Sequence, residues 1–144
     1  MKESKSYIPK TSRDGININK NLDLGKLPPQ ALDLEESVLG ALMLEKDALT
    51  DVIDILRPEN FYKDANKQIY QAIIDLFNNS EPVDLLTVTA QLKKNGKLDF
   101  VGGSYYVSQL TTRVNSASNI EYHSRIILEQ SIKRQLIEVS GEVQ

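Results

Sequence analysis

From position 33 onward the hydrophobic residues of this chain fall into short bursts with a helical rhythm. Leu34, Val38, Ala41 and Leu42 recur at three- and four-residue intervals, and Asp33 with Glu36 three positions on has the form of a helix N-cap. Glu45-Lys46-Asp47 interrupts the run, and Asp47 can cap a second short helix carrying Leu49, Val52, Ile53 and Leu56. Arg57-Pro58-Glu59-Asn60 is a breaker. Beyond it Ile69, Ala72, Ile73, Leu76 and Phe77 form a one-face stripe, ended by the polar turn Asn78-Asn79-Ser80-Glu81-Pro82. Asp84 caps the next helix, which holds Leu85, Val88 and Leu92 and stops at Asn95-Gly96 as a left-handed C-cap. Gly102-Gly103 opens a further short helix with Tyr106, Val107 and Leu110, and the last helix starts near Ser116 to Asn119. No segment sustains the two-residue alternation of a half-buried strand. The pattern predicts an all-α fold, a compact head of about five short helices followed by a long C-terminal helix.

The two ends of the chain behave differently from the middle. Residues 1–29 mix Lys, Ser, Asn, Gly and Asp with hydrophobes that follow no period, and read as a flexible tail closed by Pro28-Pro29. The head is expected over 30–115 and the long helix over 116–144. On that helix Ile132, Leu136, Val139 and Val143 are spaced four, three and four, the rhythm of a helix-pairing seam, so these four are the candidate self-association residues. The seam is still running where the sequence stops, which points to the front part of a longer protein. As a fragment the chain is expected to be a monomer with a frayed arm, or a weak dimer.

Composition narrows the chemistry. There is no cysteine and one histidine, His123, so disulfides, thiolate sites and His-rich metal sites are excluded, and no metal site is expected. No apolar run approaches the length of a membrane span and no signal peptide is visible, which implies a cytoplasmic protein without a membrane partner. The net charge of −3 is unevenly spread. Residues 1–29 carry six Lys/Arg against three Asp/Glu, whereas residues 33–64 carry nine acids against three bases. Such a surface repels phosphate, so strong DNA binding is not expected. The nearest approach to a phosphate-cradling P-loop is Gly96-Lys97, but Gln91 and Leu98 stand where that motif needs Gly and Ser or Thr. Neither a nucleotide site nor any other cofactor site is assigned. The carboxylate pairs Asp33/Glu36, Asp51/Asp54 and Asp75/Glu81 read as surface or capping acids, and His123 has no acid and nucleophile placed to use it, so no catalytic residue is assigned. Phe61, Tyr62, Phe77, Tyr105 and Tyr106 lack interleaved bases and read as core before base-stacking platforms.

Taken together in order and spacing, Pro28-Pro29-Gln30, Glu35-Glu36-Ser37-Val38-Leu39-Gly40, Glu59-Asn60-Phe61-Tyr62, Pro82-Val83-Asp84-Leu85, Val101-Gly102-Gly103-Ser104-Tyr105-Tyr106 and Ser116-Ala117-Ser118-Asn119-Ile120-Glu121-Tyr122 resemble the N-terminal domain of the bacterial replicative DNA helicase DnaB. The likeness covers about Pro28 to Val139. It departs at Asn66, where the family commonly has His, and at His123, where it commonly has an aromatic; both are expected to affect surface contacts only. The resemblance implies a ring-shaped hexameric helicase, whose N-terminal heads and helical hairpins form a collar that docks primase. The chain would then hold the outgoing arm of that hairpin. The motor, with its ATP and magnesium, would follow beyond residue 144, and a helicase loader is a second implied partner. Candidate partner-binding positions are Asp33, Tyr106, Arg125 and Ile132. The rival reading is a free-standing helical adaptor or regulator, such as a helicase loader or a phage protein that mimics this domain. It is separated from the first by whether the reading frame continues into a P-loop. A small unrecognised enzyme would need a pocket with convergent polar groups.

Overall fold

The computed structural model describes residues 27–114 and 119–143. Residues 1–26 of the expected tail and the expected start of the last helix at 115–118 lie outside the described residues. The order is α1 (Leu32–Leu44), a 3-10 turn (Ala48–Asp51), a second 3-10 turn (Pro58–Asn60), α2 (Asp64–Asn78), α3 (Leu85–Lys94), α4 (Leu98–Val101), α5 (Gly103–Thr112) and α6 (Ile120–Val143). Among the described residues there is no strand. The all-α head and long last helix are therefore as the apolar rhythm predicts.

Helix α1 is the centre of the head, packing on α5, on α6 and on α2. Val38, Leu39, Ala41, Leu42 and Met43 are all buried, so this helix is apolar almost all round in its second half. The close contact with α5 depends on Gly40: a Cβ there would lie 2.1 Å from the Leu110 carbonyl oxygen and 2.5 Å from Val114 Cγ2. Helix α2 buries Ile69, Tyr70, Ala72, Ile73 and Leu76. The Tyr70 hydroxyl donates to the Leu56 carbonyl at 3.0 Å, and its ring sits 5.0 Å from that of Phe61, so an amphipathic ring fills the core without a stranded polar atom.

Local signals explain most of the boundaries. The Asp84 carboxylate accepts from Thr87 N at 2.9 Å while Thr87 Oγ1 accepts from Asp84 N at 2.9 Å, a reciprocal cap that starts α3. Gly96, at φ +72, ends it; Gly96 N donates to Lys93 O and Lys97 N to Leu92 O, which satisfies the last carbonyls.

Three expectations are corrected. Helix α1 begins at Leu32 with Ala31 at the N-cap and no side-chain cap, so Asp33 lies inside the first turn rather than before it. The segment after Asp47 is a 3-10 turn followed by hydrogen-bonded turns, not an α-helix. Asp47 stands at φ −101, ψ 5, outside the extended geometry that lets a carboxylate cap, and the backbone before Pro58 must be extended, so no room remains for a full helix. Its apolar positions are still core: Leu49, Val52 and Leu56 are buried and Ile53 is partly so. Of the aromatics read as core, Phe61 is buried, but Phe77 and Tyr105 are exposed: Phe77 lies one position past buried Leu76, about 100° around its helix, and Tyr105 two positions before buried Val107, about 200° around its own.

Candidate functional site

The last helix carries two rows of residues. One row, Ile120, Ser124, Ile127 and Ser131, is buried and faces the head. It continues into Arg134, whose Nη1 donates to the Pro29 carbonyl at 2.7 Å and whose Nη2 donates to the Asn60 carbonyl at 2.9 Å. The guanidinium also lies 5.3 Å from the centre of the Tyr62 ring. Asn60, buried in the second 3-10 turn, donates through Nδ2 to Ser131 Oγ at 3.1 Å and accepts from Arg57 N at 2.7 Å. The second row starts at Ile132. It is 47% exposed, and Leu136 and Val139 are 65% and 57% exposed. Ile137, which the seam spacing omits, is equally uncovered at 58%. The Val143 side chain lies outside the described residues.

Head contacts thus extend to Arg134, further than Ile127 and Leu128, the last described α6 residues packed on the apolar core. From Gln135 to Gly141 every described side chain is exposed. This stretch is an arm with an apolar face that no described residue covers, and an isolated helix of such length is marginal in water.

A second polar centre lies under α1. Glu35 is 1% exposed, and its carboxylate accepts from Tyr62 N at 2.6 Å, from Lys63 N at 3.4 Å and from Asn66 Nδ2 at 2.9 Å. Asn66 Oδ1 in turn accepts from the Tyr106 hydroxyl at 2.8 Å. Asn66 is therefore fully buried and central to this network, which corrects its expected role in surface contacts. Lys63 Nζ lies 4.2 Å over the Tyr106 ring. Burial, with the Glu36 and Glu35 charges beside it, pushes the Tyr106 hydroxyl up to about 12.

Of the four candidate partner-binding positions, Tyr106 is partly buried in this network, while Asp33 is exposed at the edge of a shallow depression shared with Glu36 and Arg113. Arg113 pairs with Glu36 at 3.2 Å. Arg125 and Ile132 line one open depression along α6 with Leu128, Glu129 and Lys133. The four make up two surfaces, one on the head and one on the arm. His123 is partly exposed with its ring 6.0 Å from that of Tyr122. Among the described residues no three His, Asp or Glu side chains could hold a metal ion. No described helix is long and apolar enough to cross a membrane.

Periodicity could not find Arg134 or Glu35 as apolar positions, but both had a signal. Glu35 lies at helical spacing with Val38, Leu39 and Leu42, so an acid occupies a buried row, and Arg134 lies seven residues after Ile127.

The described residues thus form an all-helical head from which the last helix runs on with exposed side chains. The family description "DnaB-like helicase N terminal domain" matches residues 27–129, and the chain belongs to that family. It is 49% identical over 115 residues, 80% of its length, to the replicative DNA helicase DnaB of Rhodothermus marinus, covering 12% of that protein. It is also similar to the crystal structure of the N-terminal domain of DnaB helicase from Mycobacterium tuberculosis, with 42% identity and a TM-score of 0.79 over 81% of this chain and 85% of that one. A further similar structure is that of a DnaB-like replicative helicase studied with its interactions with primase. Identity there is 26% and the TM-score 0.69, over 78% of this chain and 27% of that one. The chain spans between 12% and 28% of the length of the curated relatives it matches.

Proposed function

We propose that this chain is the N-terminal collar and interaction domain of a hexameric replicative DNA helicase. It associates subunits through the α6 arm and docks primase at the fork, while ATP and magnesium act in a motor domain that it does not contain. The observation that carries this reading is the uncovered row of Ile132, Leu136, Ile137 and Val139, which runs along α6 past its head contact at Arg134. Burying such side chains against a second helix is worth about 1.5–3 kcal/mol each before ordering costs, enough for a weak pair and more in a ring. The similarity to a DnaB-like helicase studied with primase supports primase as partner. We assign Asp33 and Tyr106 on the head, and Arg125 and Ile132 on the arm, to that contact or to the contact with a helicase loader, in the cytoplasm.

Two measurements test the reading. Light scattering over a concentration series should show reversible self-association that Leu136→Asp with Val139→Asp abolishes; a monomer at every concentration would remove the association role. In the intact helicase, alanine at Asp33, Tyr106, Arg125 and Ile132 together, with helix content preserved, should weaken primase binding. Unchanged affinity would discard these positions.

A further inference from the structure

We infer that Arg134 is the positioning residue of the arm: its guanidinium sets the direction in which α6 leaves the head and so aims the apolar row at its partner helix. Among the described residues Arg134 is the last of α6 with a hydrogen bond to the head, and it stands immediately before the exposed stretch from Gln135. Its two donors reach carbonyls on two different segments, Pro29 just ahead of α1 and Asn60 at the end of the second 3-10 turn. Its plane lies near the Tyr62 ring. One flat fork therefore ties three stretches of chain, and because a guanidinium holds its donors at fixed angles, it constrains orientation as well as distance.

The surface that Arg134 grips is itself braced. Tyr62 N and Lys63 N are held from behind by the buried Glu35 carboxylate, and Asn60 is tied to Arg57 N within its turn and to Ser131 on α6. The loop of residues 60–63 is thus fixed by α1 on one side and clamped by α6 on the other. Apolar packing alone fixes less of the helix, since the last described α6 side chains on the apolar core are Ile127 and the partly buried Leu128, six residues short of Arg134. The contacts of Arg134 are to Pro29, Asn60 and Tyr62 of the head, so its effect on pairing runs through the angle of the helix. What the arm then pairs with rests on the collar reading; the clamp does not.

The absence of cysteine makes the test direct. Cysteines placed at the exposed positions Lys94 on α3 and Lys133 on α6 carry spin labels, and the label-to-label distance is measured by pulsed electron resonance with the labelled chain diluted in unlabelled chain. The parent should give one narrow distance peak. Arg134→Ala should lose that peak to a broad distribution while amide exchange in α1 and α2 stays as in the parent. Arg134→Lys keeps the charge but gathers its donors on one freely rotating nitrogen in place of a rigid planar fork, so it should broaden too. A distribution in Arg134→Ala as narrow and as centred as the parent's overturns the clamp; if that variant lowers the helix content of the head, Arg134→Lys decides by the same criterion. By light scattering, Arg134→Ala should self-associate roughly tenfold more weakly. Unchanged association despite a broadened distance would overturn the link from arm direction to pairing. A parent that never self-associates would instead sink the collar reading, with the distance measurement still deciding the clamp.

Discussion

Gly40 shows how one residue governs the head. The backbone of α1 approaches α5 so closely that a methyl group at this position would meet both the Leu110 carbonyl and the Val114 side chain. A carbonyl oxygen in a helix cannot swing aside, so Gly40→Ala should lower stability by about 1–3 kcal/mol, read from urea unfolding, despite the helix propensity that alanine adds. The buried tyrosines set a different response. Burial raises the hydroxyls of both Tyr70 and Tyr106, the latter to about 12, above their ordinary value near 10. A raised folded-state pKa means that the unfolded chain loses the proton first, so stability is intact below pH 10 and falls as pH rises from 10 towards 12. Urea midpoints across that window should decline, and less steeply in Tyr106→Phe. Neither Gly40 nor the Glu35 network was legible as a contact in the sequence, because both depend on what the facing helix places there. The buried Glu35, an acid in an apolar row, could at least have been marked.

At the scale of elements, stripes and caps were read most securely. The α2 stripe apart from Phe77, the Asp84 cap and the Gly96 stop act within about one turn of chain, and each appears where the sequence puts it. The Asp33 and Asp47 caps failed for a local reason of another kind: the residue type was suitable but the backbone angles were set by the surrounding packing. On α6 the outer row was legible from its spacing. The inner row was not, since Ser124, Ser131 and Arg134 carry polar atoms where a periodicity reading counts only hydrophobes. That row moves the expected boundary of order. Amide exchange in dilute solution should be slow on α6 as far as Arg134 and fast from Gln135 onward, because no tertiary contact supports the later turns. Strong protection of residues 135–141 at every concentration would show that something covers the arm.

For the whole molecule, charge and the missing phosphate loop dominate. Residues 33–64 hold nine acids against three bases, and Asp33, Glu45, Asp47, Asp51, Asp54, Glu59 and Asp64 are exposed. A single strand should therefore bind this chain no more tightly than non-specific binders do, about 10⁻⁴–10⁻⁶ M at physiological salt, and fluorescence anisotropy at about 150 mM salt checks it. Sub-micromolar affinity would overturn the charge argument. ATP turnover by the purified chain should likewise be undetectable in a coupled assay, since no segment offers the glycines and lysine that surround a triphosphate.

The helical class, the order of the main helices, the outer row of the arm and the family likeness were determined by the sequence alone. Periodicity and capping are properties of a few neighbouring residues, and a string of short motifs can be matched without knowing how they fold. Only the tertiary structure decided where the arm leaves the head. Tyr62 to Glu35, Arg134 to Asn60 and Arg134 to Pro29 join residues 27, 74 and 105 positions apart. Partnerships at that range leave no trace in local pattern, since any exposed arginine or glutamate would read the same until the fold brings a carbonyl or an amide within reach.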